Sequence, residues 1–196
     1  MSQYSILYHH QGILVVNKNF GLPSQPSKDG SDNLFDLLRK DFPQLALHHR
    51  LDQVASGLVL CTSNPRWNKS IATAFRTHRI QRNYYAWVLG TPESKGSWTQ
   101  KLDSKQAHTD FTLLQTKDDI SLLEIQLQTG RTHQIRRHAQ LAGYPLIGDR
   151  KYGSLAGRLW PRLALHAYRL CFEHPATREE ISISCPIPPD LQGIFP

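Results

Sequence analysis

A succession of short strand-like segments, separated by turns, is the feature that most constrains how this chain folds. Residues 109–115 and 120–128 alternate apolar and polar side chains, which predicts a hairpin. Residues 80–89, rich in aromatic side chains, predict a further strand, and residues 163–173 and 180–185 predict a closing pair. Because these strands follow one another with few helices between them, the sequence predicts an α+β fold with a mixed, largely antiparallel sheet.

Helical periodicity is limited to three segments. The first is capped by Ser31 or Asp32 and stops before Pro43. The second begins with Pro65 in its first turn. The third covers about residues 132–142 and ends before a glycine. A cluster of prolines near the C-terminus predicts the end of regular structure there.

Composition indicates a cytoplasmic protein without a membrane partner. No apolar run approaches the roughly 20 residues that span a bilayer. The N-terminus lacks the basic and then apolar segments of a signal peptide. The cysteines Cys61, Cys171 and Cys185 lie far apart in apolar or alternating stretches, which is typical of buried thiols in a reducing compartment.

The charge of the chain favours a polyanionic partner. The formal net charge is +7 and the pI is about 9.5. Residues 131–169 contain eight lysines and arginines but a single acid, Asp149. Such a block attracts phosphates with an affinity that falls as salt rises, so we expect the phosphates of a polyanionic partner to bind there. The alternative is an enzyme that is merely basic.

A carboxylate and a guanidinium lie close together at Asp52 and Arg50. The turn pair Ser56-Gly57 follows, and then the apolar run at residues 58–61. This order predicts a loop that leads into a buried strand and holds an acid and a base at its mouth. Most isolated pairs of this kind are solvated ion pairs, so the pair alone does not define a site.

Residues 130–136 are dense in hydrogen-bond donors. The backbone N–H groups at the predicted helix start, with the Arg131 side chain, suit a phosphate. Arg136 lies one turn further on, where it can reach a buried carboxylate and keep it ionised. The competing interpretation is a solvated basic helix face. Tyr84, in the aromatic strand, is on its own more typical of a core residue than of a catalytic group.

Other site types lack their motifs. His133 and His138 are five residues apart and do not share a helix face, and neither a His-Glu-x-x-His run nor a Cys-x-x-Cys pair is present. Glycine-rich phosphate loops and a Gly-x-Ser-x-Gly elbow are also missing. We therefore expect no metal site and no nucleotide cofactor.

Together, several motifs resemble the RluA-type family of RNA pseudouridine synthases. They occur in that family's order and spacing from about Leu7 to Pro189. The stretches are His49-Arg50-Leu51-Asp52 with Ser56-Gly57-Leu58, Arg82-Asn83-Tyr84, Gly130-Arg131-Thr132-His133-Gln134-Ile135-Arg136, Gly148-Asp149-Arg150-Lys151-Tyr152-Gly153, and Leu165-His166-Ala167 with His174-Pro175.

The resemblance implies isomerisation of uridine to pseudouridine in RNA without a metal or an organic cofactor. Asp52 matches the aspartate that attacks the nucleoside at the anomeric carbon of the sugar, and a carboxylate can form and release such an ester. Arg136 matches the basic residue that positions this aspartate. Tyr84 matches the tyrosine that stacks on the base and is a candidate for the C5 proton transfer. Arg50 matches the arginine that fills the space left by the flipped nucleotide.

The same resemblance sets expectations for substrate and organisation. Arg131, Thr132 and His133 are expected to bind the RNA, which would be tRNA or rRNA. Residues 1–196 are expected to form a single catalytic domain, without the N-terminal RNA-binding domain that many relatives carry. The sequence carries no signal for the oligomeric state, so a monomer is the default expectation. Ala55 stands where the family usually has threonine, and the proline usual after the lysine of the Lys18-Asn19-Phe20-Gly21 loop is missing.

Two other functions compete with this reading. One is a synthase-like protein that binds or folds RNA and in which catalysis is incidental or lost. Retention of Asp52, Tyr84 and Arg136 together argues against that loss. The other is an RNA phosphodiesterase, which is poorly supported because neither a metal-ligand cluster nor paired histidines can be assigned.

Overall fold

The computed structural model describes residues 3–27 and 30–195, and the chain divides into two units. The first unit is Met1–Gln81 with Arg169–Cys185, and the second is Arg82–Tyr168 with Pro186–Pro196. Over the described residues the strands are β1 (Tyr4–His10), β2 (Ile13–Lys18), β3 (Ala46–Leu47), β4 (Ser56–Thr62), β5 (Gln81–Leu89), β6 (Lys95–Trp98), β7 (Thr109–Lys117), β8 (Ile120–Leu127), β9 (Leu165–Glu173) and β10 (Glu180–Ser184). The α-helices are α1 (Leu34–Arg39), α2 (Asn68–Arg76), α3 (Gln134–Leu141) and α4 (Pro189–Gln192), and short 3-10 helices occupy Pro65–Trp67 and Ala156–Arg158.

The first unit is built around β2 and β4, which are buried along almost their whole length, whereas β1 and β10 are largely exposed. β2 pairs antiparallel with β1 and with β4, β3 adds to β4, and β10 pairs antiparallel with β9. All seven residues of β4 are buried, because an apolar run of this kind can be covered on both faces. Helix α2 contributes Ile71 to the core of this unit, which also contains Ile13, Leu60, Leu170 and Phe172.

The second unit contains four antiparallel strands in the order β5-β8-β7-β6. Strand β8 alternates as predicted, since Leu123 and Ile125 are fully buried between less buried neighbours. The hairpin that joins β7 to β8 turns at Asp118 and Asp119, which have positive φ angles of 50° and 61°. Aspartate tolerates this conformation better than most residues, and paired positive φ values match the right-handed twist of a hairpin.

A separate core holds the C-terminal segment in the second unit. Trp87 and Ile147 lie in one cluster with Leu191, which belongs to α4 and is fully buried. The side chain of Asp190 accepts two hydrogen bonds from Arg162, at 2.5 and 2.9 Å. The end of the chain is therefore anchored by both apolar and ionic contacts.

The α+β class and the mostly antiparallel sheet predicted from the sequence are confirmed. The expected end of regular structure at the C-terminal prolines is wrong, because Pro188 and Pro189 open α4 in the N-cap and first-turn positions, where proline fits. Helix α3 begins at Gln134, since His133 adopts a left-handed conformation with φ of 52°. Strand β6 was not predicted. That residues 1–196 form a single domain stays a prediction.

Candidate active site

Asp52 lies in the turn that connects β3 to β4. The backbone N–H of Ala55 donates to the carbonyl oxygen of Asp52 at 3.0 Å, which closes this turn just before the buried strand begins. Asp52 is half-buried and Arg50 is exposed. The predicted loop with an acid and a base at the mouth of a buried strand is present in this form.

A buried lysine, Lys18, is hydrogen-bonded to this turn. Lys18, the last residue of β2, has no exposed surface. Its ammonium donates to the carbonyl oxygens of Ala55, Leu22 and Asn19 at 2.7, 2.8 and 3.0 Å, which gives one acceptor for each N–H. A buried charge is costly unless it is hydrogen-bonded, so these carbonyls fix the lysine and are fixed by it. Lys18 therefore ties the loop after β2 to the turn that carries Asp52.

Residues on both sides of Asp52 are hydrogen-bonded to the loop after β2. The Ser24 hydroxyl, which is almost fully buried, donates to the carbonyl oxygen of Leu51 at 2.8 Å and accepts from its N–H at 3.1 Å. The N–H of Gly21 donates to the carbonyl oxygen of Gln53 at 2.9 Å. Asp52 is thus held between two anchored neighbours, as a reacting group must be. The sequence placed Lys18 in a loop that resembles the family's but predicted no role for it, and it did not indicate Ser24.

The two histidines before Arg50 orient the chain as it enters the turn. Nε2 of His49 accepts a hydrogen bond from the N–H of Leu60 at 2.9 Å, which places the proton of a neutral ring on Nδ1. His48 lies 2.9 Å from the Thr62 hydroxyl through Nε2. Burial lowers the pKa of His48 below its ordinary value, which keeps that ring neutral near pH 7.

In the second unit, Tyr84 occupies the middle of β5 opposite Ile125 of β8 and is only 4% exposed. Its neighbour Tyr85 points to the other face, because side chains alternate along a strand. There Tyr85 stacks on Tyr168 with ring centroids 3.9 Å apart, and the Tyr168 hydroxyl donates to Glu124. Burial raises the pKa of Tyr168. The face that carries Tyr84 is therefore distinct from this aromatic and acidic face.

Gln134 organises the approach to α3. Its side-chain oxygen accepts from the Thr129 hydroxyl at 2.7 Å and from the N–H of Arg131 at 2.9 Å. Its amide nitrogen donates to the carbonyl oxygen of His108 and the hydroxyl of Thr109, both at 2.9 Å. A fully satisfied buried amide rigidifies its surroundings. This hub places Arg131, and with it the exposed Thr132, at the start of the helix.

His133 is the last residue before α3 and contacts a later loop. Its Nδ1 lies 2.9 Å from the hydroxyl of Tyr152. The Arg136 guanidinium lies 5.0 Å from the centroid of the same ring, and the Lys151 ammonium lies 5.4 Å from it. His133, Arg136 and Lys151 therefore surround Tyr152 in one basic and aromatic group, whereas the Arg131 side chain donates to the carbonyl oxygen of Gln106 at 3.0 Å.

Arg136 is bound to a carboxylate that sequence reasoning did not assign to it. Its Nε and Nη2 donate to the two carboxylate oxygens of Asp149, each at 2.8 Å. Asp149 also accepts from the backbone N–H groups of Lys151 and Tyr152, at 3.0 and 3.1 Å. Burial raises the pKa of Asp149, but the hydrogen bonds and charge of Arg136, together with the N–H groups of Tyr152 and Lys151, outweigh it and hold the pKa below its ordinary value. Asp149 is therefore an ionised, buried partner that fixes Arg136.

The glycines around Asp149 are required by close backbone approach. Gly148 has a φ of 73°, and a Cβ atom there would lie 1.9 Å from the carbonyl oxygen of Arg162. A Cβ atom on Gly153 would lie 2.5 Å from the carbonyl oxygen of Asp149 itself. The spacing of Gly148, Asp149 and Gly153, with Asp149 as the lone acid of a basic block, is the sequence signal for its structural role.

The predicted residues fall in both units. Arg50 and Asp52 belong to the first, and Tyr84, Arg136 and the residues before α3 belong to the second. That Arg136 positions Asp52 stays a prediction. Residues 3–27 and 30–195 contain no cluster of three or more histidine, cysteine, aspartate or glutamate side chains that could hold a metal ion. Among the same residues, every helix is too short or too polar to cross a membrane.

Comparison with known proteins identifies the family. The family model for RNA pseudouridylate synthase matches residues 12–141, well over half of the chain. The uncharacterized RNA pseudouridine synthase YlyB of Bacillus subtilis is 33% identical over 97% of this chain and 71% of its own length. The dual-specificity RNA pseudouridine synthase RluA of Escherichia coli is 31% identical over 92% of both chains.

The fold agrees with these sequence matches. The solved structure of human RNA Pseudouridylate Synthase Domain Containing 1 superposes with a TM-score of 0.80 at 27% identity, covering 97% of this chain and 86% of the human one. The fold and the motifs thus define an isomerase that converts uridine to pseudouridine in RNA. Within that class, the chain belongs to the RluA-type family of RNA pseudouridine synthases.

Proposed function

We propose that this enzyme isomerises specific uridines in tRNA or rRNA, with Asp52 as the nucleophile and with the target nucleotide flipped out of its stack. The observation that carries the proposal is the way Asp52 is held. Its turn is fixed by Lys18 below and by Ser24 and Gly21 on either side. Preorganisation of a reacting group to within a fraction of an ångström is what covalent catalysis requires.

The proposed reaction conserves all atoms. The Asp52 carboxylate attacks C1′ of the ribose, and the bond from N1 of uracil to C1′ breaks, leaving a glycosyl ester and a uracil anion. The base turns in the pocket so that C5 faces C1′. C5 then bonds to C1′ and the carboxylate is released. The proton on C5 is lost and N1 gains one, which gives the isomer without any external reactant.

The other residues are proposed to serve this reaction. Tyr84, buried on its strand, stacks on the base and is the candidate to move the C5 proton. Arg136, oriented by Asp149, keeps Asp52 ionised and positioned. Arg50, exposed at the mouth of the loop, fills the gap left by the flipped nucleotide.

Substrate docking is proposed to use Arg131, Thr132 and His133, here called the basic group before α3. Arg131 and Thr132 are exposed there, and His133 is held by Tyr152. Side chains and backbone donors of this kind bind phosphates without reading the sequence. The enzyme is further proposed to act as a cytoplasmic monomer that needs neither a metal nor an organic cofactor.

The test is the Asp52→Asn variant on RNA labelled with tritium at C5 of uridine. We expect the wild-type protein to release tritium from bulk tRNA or rRNA, since C5 loses its proton, and the variant to release none while it still binds RNA. Asp36→Asn, an acidic residue of α1, is the control. Turnover by Asp52→Asn would exclude this nucleophile. RNA binding without tritium release by the wild-type protein would favour an RNA-folding role.

A further inference from the structure

A cavity of about 360 Å³ lies in the first unit, between the loop after β2 and the turn that carries Asp52. It is at the small end of the roughly 300–1,000 Å³ range of ligand pockets, which suits one planar ring. The loop after β2 lines the cavity with Phe20, Leu22 and Pro23, and the turn lines it with Gln53, the residue after Asp52. The proposed mechanism gives this cavity no role.

The aromatic side chain in the cavity is unusually exposed. Phe20, two residues after β2, is 45% exposed, whereas Leu22 is only 5% exposed and also lines the cavity. An apolar ring left half in water is a surface on which a second planar ring can stack. Nucleobases stack on aromatic side chains in this way irrespective of sequence.

The remaining lining residues suit the edge of a base better than a phosphate. Gln3, Asn19 and Gln53 are amide-bearing residues, Asp32 is acidic, and the hydroxyl of Ser31 is hydrogen-bonded to that of Ser27 at 3.1 Å. Among the described residues, lysine and arginine are missing from the lining of this cavity, in contrast to the basic group before α3. A carboxylate repels phosphate but accepts hydrogen bonds from exocyclic amino groups.

The cavity is coupled to the position of Asp52. Gly21, which lines it, donates through its N–H to the carbonyl oxygen of Gln53 at 2.9 Å. Lys18 binds the carbonyl oxygens of both Asn19 and Ala55. A base held in this cavity therefore lies against the same turn that presents Asp52 to the target uridine.

We propose that this cavity, here called the Phe20 pocket, binds an unpaired base of the substrate RNA that neighbours the target uridine. The base stacks on Phe20, and Asp32 favours adenine, cytosine or guanine over uracil. The proposal deepens the function proposed above and rests on it for the identity of the RNA. It assigns to the Phe20-containing loop a part in the choice of the modified uridine.

The first test titrates the full chain with free nucleosides and monitors binding through the amide signals in NMR spectra. Adenosine is expected to shift the amides of Asn19 and Leu22, and uridine to shift them less. Phe20→Ala is expected to weaken adenosine binding roughly 5- to 100-fold, the range of a lost base–aromatic stack. Phe20→Tyr should restore it, because the ring is kept. Leu114→Ala is the control, since Leu114 is 48% exposed on β7, far from this loop in the sequence.

The second test separates this proposal from the proposed function. With tritium-labelled bulk tRNA or rRNA, Phe20→Ala is expected to raise KM while kcat stays near that of the wild type. Two results would overturn the Phe20 pocket: adenosine shifts that persist in Phe20→Ala, or a Phe20→Ala variant whose KM equals that of the wild type. If Asp52→Asn is inactive in the same assay, either result leaves the synthase mechanism intact. If the wild-type protein releases no tritium, the proposed function fails, and the nucleoside titration alone judges the pocket.

Discussion

Asp149→Asn tests whether the ion pair with Arg136 holds the second unit together. Asp149 is 1% exposed and Arg136 is 5% exposed, so water screens their interaction very little. Asparagine can still accept from the N–H groups of Lys151 and Tyr152, but it removes the negative charge that faces the guanidinium. Breaking a buried pair in this way typically costs about 3–5 kcal/mol. Since domains are stable by only about 5–15 kcal/mol, the variant should lose a large share of its stability.

The same helix provides a matched control. Arg137, the next residue of α3, makes a bidentate pair with Asp103 at 2.8 and 3.0 Å. Both are bidentate Arg–Asp pairs, although Arg137 donates through Nη1 and Nη2 where Arg136 uses Nε and Nη2, and the Asp103 side chain is 67% exposed. Asp103→Asn is therefore expected to change stability little, because solvent screens an exposed pair. The contrast between the two variants isolates the effect of burial.

The stability contributed by Asp149 is expected to depend on pH, in a direction set by the shift of its pKa. The pKa of Asp149 is lowered in the folded protein relative to its ordinary value near 4 in an unfolded chain. The stability that its ionised form contributes is therefore fully present above that ordinary value and is lost as the pH falls through the folded-state pKa. The stability gap between wild type and Asp149→Asn should stay constant between about pH 7 and 5 and shrink below about pH 4.

Urea unfolding followed by tryptophan fluorescence measures this gap. Three of the four tryptophans, Trp87, Trp98 and Trp160, lie in the second unit and report on it. The reasoning would be refuted if Asp149→Asn unfolded at the urea concentration of the wild type, or if Asp103→Asn were equally destabilised. A gap that persisted undiminished at pH 3 would show that ionisation of Asp149 is not its source.

Two further outcomes concern the first unit and RNA binding. Lys18→Met, which removes the ammonium that binds Ala55 and Leu22, should lower kcat about 10- to 100-fold by letting the Asp52 turn move. Tritium release measures this, with Lys69→Met on the exposed face of α2 as the control, and an unchanged kcat would contradict the role of Lys18. Affinity for bulk tRNA, measured by filter binding, should fall about a thousandfold or more between 50 and 200 mM salt. An affinity that salt does not change would argue against the basic group before α3 as the docking surface.

Local patterns predicted the strands well because their signal is local. The alternation at residues 109–128 needs only neighbouring side chains, and the β7–β8 hairpin forms where it predicts. Strand β6 escaped because only Trp98 is buried in it and Gly96 weakens strand propensity. The start of α3 shifted by two residues because the left-handed backbone of His133 has no signature in a histidine.

The residues that hold the site were harder to find because their partners lie far away in the sequence. Lys18 bonds to Ala55, 37 residues on, and Ser24 bonds to Leu51, 27 residues on. Neither contact leaves a pattern in the neighbouring residues. The resemblance to known synthases identified Asp52 through the motif that contains it, but it did not indicate which residues stabilise the turn around Asp52.

The two departures from the usual family pattern have a common explanation in these contacts. Ala55 stands where threonine is usual, yet the atom of Ala55 that Lys18 binds is its carbonyl oxygen. Asn19 follows the lysine where proline is usual, and here too Lys18 binds the carbonyl oxygen, which proline also has. Because the framework of the turn depends on backbone atoms, side chains at these positions can change without moving Asp52.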